Sequence, residues 1–67
     1  MLETPVEQAR RLSSGTIATL TGETRYDKIE AIQQDFVKHV EAWVEVGLVG
    51  PKAVWQSLWK LYKEVAG

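Results

Sequence analysis

The segment over residues 51–66 separates into three stripes when it is wound at about 100° per residue, the rotation of an α-helix. One stripe is aliphatic and contains Val54, Leu58, Leu61 and Val65. The stripe beside it is aromatic and contains Trp55, Trp59 and Tyr62, and polar side chains fill most of the remaining positions. This separation is typical of an amphipathic helix that buries one side. The segment is therefore predicted to be helical.

A second amphipathic pattern covers residues from about 25 to 46. Its large apolar side chains share one helical face: Ile29, Ile32, Phe36, Val40 and Trp43. Phe36 lies at the centre of that face, so we expect it in the core, and Thr24 is a candidate N-cap. Gly47 is suited to the positive φ that ends a helix, and Pro51 to the first turn of the next one. The short loop between them favours an antiparallel hairpin.

The N-terminal part of the chain begins with a clear helix signal. Thr4, Pro5 and Glu7 combine a capping hydroxyl, a proline for the first helical position and a glutamate three residues after the cap. Apolar residues then recur on one face until about residue 20, which predicts a first helix over about 5–20. Gly22 is placed to end that helix in a left-handed conformation.

The middle of this first helix is its least regular part. Residues 13–15 read Ser-Ser-Gly, which is a poor helix interior. A break at Gly15, or an extended segment or loop over residues 15–23, therefore stays open as the alternative.

These patterns together predict a small all-α protein in which residues 1–67 form a single domain. The expected architecture is a bundle of three helices over about 5–20, 25–46 and 51–66, closed by an antiparallel C-terminal helical hairpin. The chain has no cysteine, so it has no disulfide framework. No apolar run approaches the roughly 18 residues that span a bilayer, and the first twenty residues do not resemble a signal peptide. We therefore expect a cytoplasmic protein.

Charge is nearly balanced over the whole chain but not along it. The formal net charge is −1, whereas residues 24–46 carry −2 and residues 51–67 carry +2. These opposite charges favour packing of the two segments against each other at their rims. Glu41 and Glu45 lie at the negative end of the second helix dipole, so each either pairs with a lysine of the C-terminal segment or stays solvated.

The sequence carries no pattern for bond-making chemistry. His39 is the one histidine, and with Asp35 it offers two ligands, fewer than the three protein ligands of a catalytic zinc site. The serines stand in no nucleophile motif, and no phosphate-binding glycine motif is present. We expect no enzymatic activity, catalytic residue, metal, cofactor or small-molecule substrate.

The aromatic stripe of the C-terminal segment has two interpretations. Its rings either seal a small core or act as anchors for a second chain, since Trp and Tyr are frequent at binding hot spots. The binding interpretation names Trp55, Trp59 and Tyr62 as the anchors and Lys52, Lys60 and Lys63 as their charged rim. It predicts a non-enzymatic protein–protein interaction module, either a self-associating adaptor that forms a dimer or a small inhibitor or regulator of a larger protein.

A helix-turn-helix-like DNA-binding regulator is the alternative function. Two helices joined by a short glycine-containing turn fit that motif. The contacts would come from Lys52, Gln56, Ser57, Lys60 and Lys63, with Arg10, Arg11 and Arg25 at phosphates. The net charge of −1 supplies no general attraction to nucleic acid or to an anionic membrane, so we expect neither as a partner.

Overall fold

A computed structural model describes residues 3–66. Four helices and no strand occur in this range: α1 (Pro5–Arg10), α2 (Ser14–Thr21), α3 (Tyr26–Glu45) and α4 (Trp55–Ala66). The predicted all-α class is confirmed, but the predicted number of three helices is wrong. The first predicted helix is in fact two.

The break between α1 and α2 falls at residues 11–13, before the glycine where we considered a break. Ser13 has extended backbone angles (φ −75°, ψ 158°), and its Oγ accepts a hydrogen bond of 3.1 Å from the backbone N–H of Thr16. A serine at an N-cap is favoured over a serine inside a helix, because the cap satisfies a backbone donor that would otherwise lack a partner. Gly15 therefore lies inside α2, and neither a loop nor an extended segment begins there.

Four local signals were predicted correctly. Thr4 Oγ1 accepts a hydrogen bond of 3.2 Å from the backbone N–H of Glu7, and Pro5 is the first residue of α1. Gly22 and Gly47 follow α2 and α3 with φ of 73° and 76°, the left-handed region in which glycine has no Cβ penalty.

The starts of α3 and α4 differ from the prediction. Thr24 does not cap α3; instead Glu23 Oε1 accepts hydrogen bonds from the backbone N–H groups of Arg25 (3.2 Å) and Thr24 (3.0 Å). These bonds favour the ionised form and lower the pKa of the Glu23 carboxyl. Pro51 lies in a turn, and α4 begins only at Trp55.

Two glutamines cap helix ends that lie far from them in sequence. Gln8 of α1 accepts a hydrogen bond of 3.0 Å from the backbone N–H of Trp55 and donates one of 3.5 Å to the carbonyl of Ala53. Gln33 of α3 donates to the carbonyls of Leu12 (2.6 Å) and of Arg10 (3.2 Å), the latter the last residue of α1. Side-chain amides thus satisfy backbone groups that have no helical partner in or next to the α1–α2 and α3–α4 connections.

The core is organised around α3, which contacts the other three helices, while α1 also contacts α4. The buried side chains of the core come from all four helices and from the α1–α2 connection: Ala9, Leu12, Ile17, Ile29, Phe36, Val40, Trp43, Leu58, Trp59 and Tyr62. The helices α3 and α4 meet through Phe36, Trp59 and Tyr62. The antiparallel arrangement of the predicted hairpin stays a prediction. No helix of the described residues is long and apolar enough to cross a bilayer.

The central position of Phe36 makes a prediction for stability. Phe36 is fully buried, so Phe36→Ala should lower the free energy of unfolding by about 3–5 kcal/mol through lost burial and the cavity that remains. Urea unfolding followed by circular dichroism measures this change. Tyr26→Ala removes a ring that is 67% exposed on the same helix and should change stability by less than about 0.5 kcal/mol. Equal unfolding midpoints for Phe36→Ala and the wild type would contradict this core.

The capping role of Gln33 has a matched control at the next position. Gln33→Ala leaves two carbonyls without their donor and should cost about 1–2 kcal/mol of unfolding free energy. Gln34→Ala makes the same chemical change at an exposed side chain that hydrogen-bonds to no described residue, so its effect should be near zero. Urea unfolding of both variants gives the comparison, and similar losses in the two would refute the capping role.

Candidate protein-interaction surface

The structure turns the aromatic stripe of α4 inward. Trp59 and Tyr62 are buried in the core, with 5% and 8% of their surfaces exposed, and Trp55 is half-buried. Of the two interpretations of the stripe, the core interpretation therefore holds for Trp59 and Tyr62, and the interpretation as exposed anchors does not. A ring in the core is not available as an exposed anchor, so the exposed apolar surface of α4 is formed by other residues.

The aliphatic stripe, defined above by four residues, is exposed at two of them. Val54, immediately before α4, is 45% exposed and Val65 is 60% exposed, whereas Leu61 between them is half-buried. Only Leu58 of this stripe is fully buried. We call Val54, Leu61 and Val65 the aliphatic ridge. The periodicity groups these residues into one stripe but does not tell whether the stripe is buried, because a buried stripe and an exposed one have the same spacing.

Packing around Phe36 explains why the rings point inward. Trp59 and Tyr62 contact the Phe36 ring edge-to-face, with ring centroids 5.0 Å and 5.5 Å away and interplanar angles of 78° and 64°. Edge-to-face contacts stabilise aromatic pairs by more than the burial of their apolar surface alone. Large rings also fill a small core with few residues. The Nε1 of Trp59 is buried and finds no hydrogen-bond acceptor among the residues that the structure describes.

A polar cluster closes the edge of the core between α3 and α4. The Tyr62 hydroxyl donates a hydrogen bond of 2.8 Å to Asp35 Oδ2. His39 Nδ1 lies 2.8 Å from the backbone oxygen of Asp35. The centroid of the His39 ring lies 5.2 Å from that of Tyr62 and 5.6 Å from that of Trp43. His39 therefore serves as a hydrogen-bonded residue at the edge of the apolar face. Within residues 3–66, the acidic residues and His39 form no group of three that could hold a metal ion.

The environment of Tyr62 shifts its ionisation. Burial, the hydrogen bond to Asp35 and the negative charge of that carboxylate together raise the pKa of Tyr62 from 10.0 to about 12. All three causes disfavour the phenolate, because it would lose hydration and face a carboxylate.

Tyr62 therefore makes stability depend on alkaline pH. Its folded-state pKa lies above its unfolded value, so its contribution is present below pH 10 and is lost as the pH rises through about 12. Tyr26 is the second of the two tyrosines, so ultraviolet titration of the Tyr26→Phe protein reports Tyr62 alone. We expect a midpoint near 12 in the folded protein and near 10 in denaturant. Equal midpoints would contradict the Tyr62–Asp35 contact.

The lysines predicted as a rim lie away from the ridge. At 100° per residue, Lys60 and Lys63 are about 100–180° around α4 from the ridge residues, and Ser57 and Glu64 flank its outer edge instead. Lys52, Lys60 and Lys63 are all exposed and form no ion pair with any residue between 3 and 66.

The acidic end of α3 does not pair with the lysines of the C-terminal segment. Glu41 Oε1 lies 2.7 Å from a guanidinium nitrogen of Arg10 in α1. Glu45 is exposed and pairs with no described residue, as the solvated alternative expects. The opposite charges of the two segments are therefore not neutralised against each other within the described part of the chain.

Comparison with known proteins adds no assignment to this geometry. No protein-family model, curated protein or solved structure matches the chain. The exposed aliphatic ridge and the unpaired charges are thus the observations on which a function has to be argued.

Proposed function

We propose that this protein is a non-enzymatic protein–protein interaction module that binds a helix of another protein through the aliphatic ridge. The observation that carries the proposal is the exposure of Val54 and Val65, at 45% and 60%, beside a helix whose other apolar side is buried. Exposed apolar side chains aligned along one helix are a common feature of protein-binding surfaces.

The spacing of the ridge favours a helical partner. Val54, Leu61 and Val65, with Leu58 beneath them, follow steps of four, three and four residues, the apolar repeat of helix-on-helix packing. A partner helix with its own apolar stripe would cover the ridge, and a basic residue beside that stripe would face Glu64. The proposal makes the protein a stoichiometric adaptor or regulator that occupies a surface. A cytoplasmic location, expected from the cysteine-free sequence, belongs to the same proposal.

The DNA-binding alternative has less support. Residues 46–54 separate α3 from α4, whereas a helix-turn-helix motif joins its helices by three or four residues. The three lysines of the C-terminal segment remain its main argument, and the net charge of −1 opposes it.

The ridge is tested by replacing its two most exposed residues. The tagged full chain and its Val54→Ser/Val65→Ser variant are used to purify partners from cells that produce the protein, and retained proteins are quantified by mass spectrometry. We expect at least one retained protein whose amount falls at least about tenfold with the variant, because the variant has lost its apolar contact with that protein. The retained protein is then purified, and its affinity for both chains is measured by calorimetry.

The control is Tyr26→Ser, which removes an exposed apolar side chain from α3 instead of the ridge. It should retain the same protein as the wild type, and circular dichroism should show equal helicity in all three chains. The proposal fails if no retained protein depends on Val54 and Val65, or if Tyr26→Ser lowers retention equally.

A further inference from the structure

Two charged faces of the molecule carry side chains that form no ion pair within residues 3–66. One is the outer face of α3, whose exposed residues repeat at helical spacing: Asp27, Glu30, Gln34, Lys38, Glu41 and Glu45. The other belongs to the C-terminal segment and consists of Lys52, Gln56, Lys60 and Lys63, all exposed. We call them the acidic face and the basic face; their formal charges are −3 and +3.

Contacts inside the chain neutralise only part of this charge. Arg10 pairs with Glu41 at 2.7 Å and Arg25 with Asp27 at 3.4 Å, both from outside the basic face. Glu30, Glu45 and the basic-face lysines make no ion pair within residues 3–66. Glu30 and Glu45 of the acidic face and the lysines of the basic face are therefore available to another molecule.

We infer that the partner of these two faces is a second copy of this chain, with the basic face of one copy against the acidic face of the other. Each copy carries both faces, so a two-fold dimer that places both of them in its interface makes the contact twice. Complementary charge fixes the orientation and speeds the encounter. Val44, 38% exposed beside the acidic face, adds apolar area. This inference rests on different residues from the aliphatic ridge, which stays free for its own partner.

Charge reversal on each face tests the inference. The purified full chain is compared with a Lys52→Glu/Lys60→Glu variant and a Glu30→Lys/Glu45→Lys variant by sedimentation equilibrium at low ionic strength. All four positions are exposed, and circular dichroism should show unchanged helicity. We expect the wild type to dimerise, more weakly as salt is added, and each variant alone to dimerise at least about tenfold more weakly because like charges meet.

Mixing the two variants is the decisive measurement. In the heterodimer, the unchanged acidic face of one variant meets the unchanged basic face of the other, and the two reversed faces meet each other. Opposite charges therefore face each other at both contacts, and the heterodimer should form with an affinity within about threefold of the wild type. The Val54→Ser/Val65→Ser chain should dimerise like the wild type, which separates this inference from the proposed function. A monomeric wild type, reversals without effect, or a mixture that does not associate would each overturn it. Dimerisation lost only in the ridge variant would also overturn it and leave the ridge as the contact.

Discussion

The edge-to-face packing of Trp59 and Tyr62 on Phe36 determines how the rest of the molecule is presented. Because the aromatic side of α4 is held against α3, rotation of α4 about its axis is fixed. In this fixed orientation the aliphatic ridge of α4 faces outward, and the lysines lie on another side of the helix. The packing of these three rings thus determines which apolar residues of α4 are exposed to solvent and on which side of the molecule its lysines lie. The Tyr62 hydroxyl fits this arrangement because Asp35 lies within hydrogen-bond distance at the edge of the core.

Features that depend on neighbouring residues were predictable from the sequence. The Thr4 cap, the left-handed glycines at 22 and 47 and the apolar face of α3 follow from preferences that act over a few residues. The cap by Ser13 belongs to the same class, and the Ser-Ser-Gly sequence signalled an interruption without giving its position. Residues that begin or end a helix through their own side chains are readable before the fold is known.

Features that depend on distant residues were not predictable in this way. Gln8 and Gln33 satisfy backbone groups 45 and 21 residues away, and no sequence spacing marks them for that role. The orientation of α4 is a second example. When the helix is considered alone, its aliphatic stripe and its aromatic stripe are equally good candidates for the buried side. Only the position of Phe36 on the neighbouring helix decides between them. Periodicity therefore gave the candidate residues on α4, and packing decided which of them face outward.

The hydrogen bonds from Gln33 also bear on the stability of α1 and α2. With six and eight residues, α1 and α2 are shorter than the roughly 12–15 residues that an isolated helix needs to persist in water. The carbonyls of Arg10 and Leu12 at the connection obtain their donor from Gln33 of α3. The two short helices therefore depend on α3 for a lasting conformation.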